Sequence, residues 1–277
     1  MILNKLTNNL KLIEGIYYTL DTSVISYPEK ANEDFYSIEE NSFWFKHRNN
    51  CLSVLIKHFL PQNNIFFDIG GGNGFVAKRI QSEGISTVLV EPGGEGTKNA
   101  LKRNIKHIVC SSLNNVGFKP NTLDSAGIFD VLEHIEDDNA FIRELHQYIR
   151  KDGLLFITVP AYNFLWSQDD IYAGHYRRHT IKSISQLLKS HNFSIEYKSY
   201  FFGILPLPIF FSRRLPFLLK LDRKSSEVAK IKNDHKESTG MLQSILSRIW
   251  RWEVSRIKKL KRIPFGSSVL IVARKSI

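Results

Sequence analysis

Ile65-Phe66-Phe67-Asp68-Ile69-Gly70-Gly71-Gly72-Asn73-Gly74-Phe75 decides the reading of this chain: an apolar run ends at an acid, passes a glycine-dense turn and opens a new amphipathic segment. Glycines at 70, 72 and 74 allow positive φ and let the backbone touch a ligand that a Cβ would exclude. A helix starting behind them offers unpaired N–H groups to an anionic group. A nucleotide-like ligand is therefore expected. The dinucleotide pattern G-x-G-x-x-G needs glycine at 75, where Phe75 stands, and no Gly-Lys-Ser/Thr follows for a triphosphate loop. Taken alone, the turn also fits a plain strand-to-helix connection.

Working outward, the apolar pattern predicts strand 65–69, helix 75–83, strand 86–91, helix 95–104, strand 107–111, strand 124–131, helix 137–150 and strand 153–159. Strand–helix alternation implies a parallel sheet covered on both faces. Upstream, Phe43-Trp44-Phe45 leads through Lys46-His47-Arg48 to Leu52, Leu55, Ile56 and Phe59 at helical spacing, giving a helix over 39–60. Downstream, Thr180 caps a helix over 181–190, a strand follows over 193–202, and a last strand spans 267–274. About 60 residues separate those two strands, more than a connection needs.

The D-x-G-x-G-x-G arrangement from Asp68 to Gly74 resembles the first motif of the class I S-adenosylmethionine (SAM) methyltransferases. The likeness continues in Val88-Leu89-Val90-Glu91, whose acid stands 23 residues after Asp68. It extends to the fourth-strand segment ending in Glu133-His134, and to Lys151-Asp152-Gly153 with the fifth strand through Pro160. It covers roughly 40–200 plus the last strand. The resemblance implies an α/β, Rossmann-like, seven-stranded, mostly parallel sheet with an antiparallel last strand slotted between strands five and six. To this it adds an N-terminal helical cap over 1–60, a core over 61–203, a basic and apolar helical insertion over 204–262, and the final strand within 263–277. In that family the glycine turn (Gly70, Gly72, Gly74) admits the methionine end of the cofactor, Asp68 orients it, and Glu91, followed by Pro92, accepts from both ribose hydroxyls. Ser112-Leu113 stands near the adenine, where the family usually carries an acid. Asn73, where threonine is commoner, is either a ligand or a cap for the next helix. Phe129 and Asp130 would face the transferred methyl group. His134 is the candidate base for a hydroxyl acceptor. Glu133 would orient it or bind a divalent ion with neighbouring acids, as in the ubiquinone-pathway O-methyltransferases that this segment resembles.

After the fifth strand, His175-Tyr176-Arg177-Arg178 suits a phosphate or carboxylate on the acceptor, because guanidinium offers paired donors. Asp169 and Asp170 could equally tie those arginines into internal ion pairs. The net charge of +11 is unevenly placed: residues 204–277 hold 17 Lys/Arg against 5 Asp/Glu, a net of +12, and leave the rest of the chain at −1. A nearly neutral catalytic part with a basic appendage points to an anionic neighbour, whether a lipid surface, a phosphorylated substrate or nucleic acid, or else to a solvated face. The apolar run 199–212 holds only 14 uncharged residues, too few to span a bilayer. It either lies in a headgroup region or caps the acceptor pocket. The charged run 224–240 reads as a loop. Two isolated cysteines, Cys51 and Cys110, argue against a disulfide framework or a zinc site, and residues 1–20 lack a signal-peptide pattern. A cytoplasmic protein, peripherally attached to a membrane or free, is expected. The activity implied is O-methylation of a small-molecule, lipid-linked or glycan-type acceptor. RNA methylation is the alternative, disfavoured by Asp130-Val131-Leu132-Glu133 and the lack of an RNA-binding module, and a SAM-binding protein without turnover is a third reading.

Overall fold

A computed structural model describes residues 3–19, 36–221 and 241–276. After a helical turn at Leu3–Leu6, the strands are β1 (Leu10–Ile13), β2 (Ile16–Thr19), β3 (Phe66–Ile69), β4 (Thr87–Glu91), β5 (Ile108–Cys110), β6 (Leu123–Phe129), β7 (Ile149–Pro160), β8 (Phe193–Phe201) and β9 (Ser268–Lys275). The helices are α1 (Phe43–Phe59), α2 (Phe75–Ser82), α3 (Gly94–Lys102), α4 (Asp138–Tyr148), α5 (Gln168–Tyr172), α6 (Ile181–Ser190) and α7 (Met241–Lys258). All strands join one sheet in the order β1-β2-β5-β4-β3-β6-β7-β9-β8. β9 lies antiparallel between β7 and β8, from Leu154↔Arg274 to Pro160↔Ser268 on one side, as expected of the last strand. Strand order reverses between β3 and β6. The crevice at such a reversal, beyond the carboxyl ends of the strands, is where ligands bind in open α/β sheets.

Local sequence explains the helix starts. Ser42 accepts from the Trp44 and Phe45 N–H groups at 3.2 and 3.4 Å to cap α1. Asp137 accepts from Ala140 at 2.9 Å to cap α4, and Thr180 with Ser183 forms a reciprocal capping box on α6. Two apolar layers flank the sheet. Phe67, Val88 and Val90 face Ile142 and Leu145 of α4 and Ile184 and Leu188 of α6. Phe66, Phe156 and Val272 face Leu52, Leu55 and Ile56 of α1 and Ile257 of α7.

Two expectations are adjusted. The sheet has nine strands rather than seven, because the segment read as a purely helical cap contributes the β1–β2 hairpin, with β2 running parallel to β5. β7 begins at Ile149, where the helix over 137–150 was expected to continue, since Ile149 pairs with Leu123 ahead of a register shift. The start of the insertion is helical over Pro206–Ile209, π-helical over Phe210–Arg214 and helical over Leu215–Leu218. The loop expected over 224–240 lies outside the described residues. No helix among the described residues is long and apolar enough to cross a membrane.

Candidate active site

β3 delivers Asp68 and the turn, in which Gly70, Gly72 and Gly74 have φ of 70°, 54° and 74°. A Cβ at Gly70 would lie 2.7 Å from Val131 Cγ2, and one at Gly71 only 2.2 Å from Leu89 Cδ1. Glu91 ends β4 and pins this turn: its carboxylate accepts from the Gly72 N–H at 2.8 Å and the Gly93 N–H at 2.7 Å. Burial pushes Glu91 up, and those two bonds oppose the shift. Asp68 is 1% exposed and its Oδ2 has no partner among the described residues. Burial pushes its carboxyl up to about 7, against Arg48 and the Ala77 N–H. A buried acceptor oxygen beside a backbone that only glycine can follow fits a ligand carrying donors, as the methionine end of SAM does.

The other cofactor candidates divide. Asn73 is buried, but neither caps α2, whose N-cap is Gly74, nor is left open to a ligand through its amide. Its Nδ2 donates to Glu39 at 3.4 Å and its Oδ1 accepts from Asn99 at 3.0 Å, while Arg103 donates to its carbonyl at 2.9 Å and to Glu39 at 2.5 Å. This buried Glu39–Arg103 pair braces the back of the turn. The Phe129 ring stacks on Phe66 in the core, with centroids 6.1 Å apart. Leu113 is likewise packed into the core, whereas Pro92 and Ser112 are half-buried at the ends of β4 and β5.

Asp130 terminates β6 with a φ of 57°. Its Oδ1 accepts from Thr158 at 3.2 Å, and its Oδ2 pairs with Arg48 Nη1. Sequence reasoning missed Arg48. Its signal was spacing: a cation three residues after Phe45 and four before Leu52 falls on the buried stripe of α1. There it lies over the Trp44 ring at 4.7 Å and its charge reaches Asp68, Asp130 and Glu133.

Beyond Asp130, the turn Leu132–His134 brings Glu133 inside, with Oε2 unpartnered among the described residues and the carboxyl raised well above its usual range by burial and by Asp130. Burial and the neighbouring His175 push His134 down to about 4. The two rings meet edge to face at 4.7 Å. The side-chain ligand atoms of Glu133, His134 and His175 all lie within 4.8 Å of one another. Asp170 holds His175 through Nδ1 at 2.9 Å and takes Arg178 through Nε at 2.7 Å and Nη2 at 3.0 Å. Those contacts hold Asp170 down at about 2 against its burial. Arg177 pairs with Asp138 at 2.9 Å and donates to the Glu136 carbonyl. Arg178 is thus taken up by Asp170, the internal pairing that the sequence had left open, whereas Arg177 is taken up by Asp138, and Asp169 pairs with Arg213 at 3.1 Å instead. Tyr176 is exposed, and its N–H donates to the Glu133 carbonyl at 2.8 Å, fastening this loop to the β6 turn.

Comparisons with known proteins agree with this arrangement. A methyltransferase-domain family model matches residues 44–198, more than half of the chain. The bovine mitochondrial ubiquinone biosynthesis O-methyltransferase is 30% identical over 123 residues, and its human counterpart 29% over 124; each match covers 40% of this chain and 33% of the relative. The chain therefore spans about a third of the curated relatives it matches. Among solved structures, phosphoethanolamine N-methyltransferase 2 of Haemonchus contortus in complex with SAM aligns with a TM-score of 0.55 at 20% identity, over 90% of this chain and 58% of that one. A SAM-dependent methyltransferase from Archaeoglobus fulgidus aligns with a TM-score of 0.50 at 18% identity, over 84% of this chain and all of that one. Strand order, the glycine turn with its two acids and the matched domain lead to one conclusion: this chain belongs to the class I SAM-dependent methyltransferase family.

Proposed function

We propose that the protein transfers the methyl group of SAM to an oxygen of a small or lipid-linked acceptor. The observation that carries the cofactor half is the buried, unpartnered Asp68 Oδ2 beside the glycine turn, with Glu91 fixed at the end of the next strand. Glu91 keeps a second lone pair on each oxygen for the ribose hydroxyls. Glu91→Ala removes charge-assisted bonds worth about 1.5–3 kcal/mol, or roughly 10–100-fold in Kd. Calorimetry with SAM tests this, and an unchanged affinity would overturn the assignment.

SAM supplies the leaving group when bound, so this chain's residues have mainly to align the acceptor and receive its proton. As the bond from oxygen to the methyl carbon forms and the carbon–sulfur bond breaks, the acceptor hydroxyl loses its proton. His134, neutral at cellular pH, stands at the β6 turn to receive it. A second reading is favoured by the Glu133–His134–His175 cluster. Asp170 occupies Nδ1 of His175 and leaves Nε2 for a divalent cation, the usual carboxylate–histidine support of a metal ligand. Such an ion would supply Lewis acidity to the acceptor oxygen, with His134 a ligand rather than the base. His134→Ala lowers kcat by about 10²–10⁴-fold with SAM affinity kept if His134 is the base. Turnover abolished by a chelator and restored by magnesium assigns the cluster to a cation instead.

The acceptor is proposed to arrive at an anionic membrane face. In support, Leu207 and Phe211 of the insertion are 66% and 62% exposed, Leu218, Leu219 and Leu221 are exposed beside them, and the surrounding quarter of the chain carries a net +12. Apolar side chains among basic ones suit a headgroup region.

A further inference from the structure

On the outer edge of the sheet, away from the glycine turn in sequence, a solvent-open cavity of about 530 Å³ lies between α6 and β8. Its volume is that of a small-molecule site. Four cationic side chains line it: Lys182 and Lys189 from α6, Lys198 from β8, and Arg262 from the segment leading into β9. They come from three separate elements, so one solvated helix face does not explain their convergence. Among the described residues none of the four is ion-paired, whereas Arg178, Arg177 and Arg274 each have a carboxylate, and Glu196, the acid of β8, is the partner of Arg274. Gathering like charges without a counter-charge opposes folding, and a bound anion relieves it.

A second, independent feature points into the same cavity. Ser185 lines it from α6, is 7% exposed, and its Oγ has no hydrogen-bond partner among the described residues. A buried hydroxyl without a partner is a standing cost that an acceptor oxygen would remove. Tyr200, on the opposite wall, accepts from the Ile181 N–H at 3.3 Å and stacks on Tyr162 just beyond the end of β7, with centroids 4.9 Å apart. The wall of the cavity thus touches the loop that leads from β7 toward the His175 segment.

We propose that this cavity binds a phosphate or diphosphate ester, its oxygens held by Lys182, Lys189, Lys198 and Arg262 and by the Ser185 hydroxyl. A monocarboxylate would leave most of the four cations uncompensated, while a phosphate ester carries about two negative charges and three acceptor oxygens. Lysines act on such a group as point charges. The lining shares no residue with the glycine turn, Glu91 or the Glu133–His134–His175 cluster.

Calorimetry with inorganic pyrophosphate at low salt, on the full chain, tests the proposal. Binding should weaken by about tenfold or more in Lys182→Gln/Lys198→Gln and by a few-fold in Ser185→Ala, with SAM affinity unchanged as evidence of an intact fold. Lys106→Gln/Lys151→Gln removes the same charge elsewhere and should leave binding as it was. Absence of pyrophosphate binding, or equal weakening by both double variants, overturns the site in favour of diffuse surface charge. The source of the group is read by sedimentation with phosphatidic acid in phosphatidylcholine vesicles. Displacement of the wild type by pyrophosphate assigns a lipid headgroup, and pyrophosphate binding without displacement assigns a soluble phosphate ester.

Discussion

Burial moves His134 and Asp68 in opposite directions, because desolvation penalises whichever form carries charge: the imidazole falls to about 4 and the carboxyl rises to about 7. At cellular pH the first is neutral, and the second is poised between its two forms until a donor reaches Oδ2. A pH dependence follows for His134. The unfolded chain binds its proton near 6.5 and the folded protein near 4, so this residue's contribution to stability falls as pH drops through that window and is constant above it. Urea unfolding of wild type and His134→Gln at pH 7.5 and pH 5 should therefore show the wild type losing ground to the variant at the lower pH. A stability difference that does not change with pH would mean that the imidazole is not depressed. Asp68, Glu91 and His134 were readable as residues. Their protonation was not, because it depends on Arg48, His175 and burial contributed from elsewhere in the chain.

Among the elements, the glycine turn and the helix behind Glu91 make opposite forecasts for the same substitution. Gly70→Ala puts a side chain at a φ of 70° and 2.7 Å from Val131 Cγ2, so it should destabilise by at least about 1–2 kcal/mol and weaken SAM binding. Gly94→Ala, at the start of α3, meets nothing within 4 Å and should stabilise by about 0.4–1 kcal/mol. Thermal melts of the two variants check both signs, and a stabilised Gly70→Ala would remove the strained turn from the account. The hairpin β1–β2 shows why an element went unread. Its turn places Glu14 at φ 48° ahead of Gly15 at 86°, where Asn or Asp would have announced a tight hairpin. The strands of the parallel core needed no such signal, since burial on both faces makes them continuous apolar runs.

At the scale of the whole molecule, Glu253 ties three distant parts together. It is fully buried on α7, pairs with His47 of α1 at 2.8 Å, and accepts from the Phe202 and Gly203 N–H groups at 2.9 and 2.6 Å. Phe202 has a φ of 57°, so the chain turns sharply into the insertion under this contact. Glu253→Ala should cost about 3–5 kcal/mol, and it should also loosen Arg48, which lies one residue from His47. Chemical denaturation measures the first effect; a loss under about 1 kcal/mol would show that α1 and α7 are held by apolar packing alone. The exposed Leu207 and Phe211 give the second forecast at this scale. Co-sedimentation with phosphatidylglycerol vesicles should weaken as salt rises and in Leu207→Ser/Phe211→Ser. Failure to sediment at low salt would make the insertion a cover over the acceptor side.

What the sequence determined by itself was whatever local chemistry encodes: the strand–helix alternation, the turn that only glycine can make, Glu91 at the end of the next strand, and the capping residue that starts α6. What only the tertiary structure decided was which charges meet. Arg178 could be read either as an anion ligand or as a partner of Asp169 or Asp170, and folding hands it to Asp170, eight residues earlier, while the same carboxylate orients His175. Arg48 reaches Asp130 from 82 residues away, and Lys182, Lys198 and Arg262 share a cavity although no local pattern links them. Periodicity and steric limits act between neighbours in sequence and can be read there. Coulombic and desolvation energies depend on distance in space, and those distances exist only once the sheet has assembled.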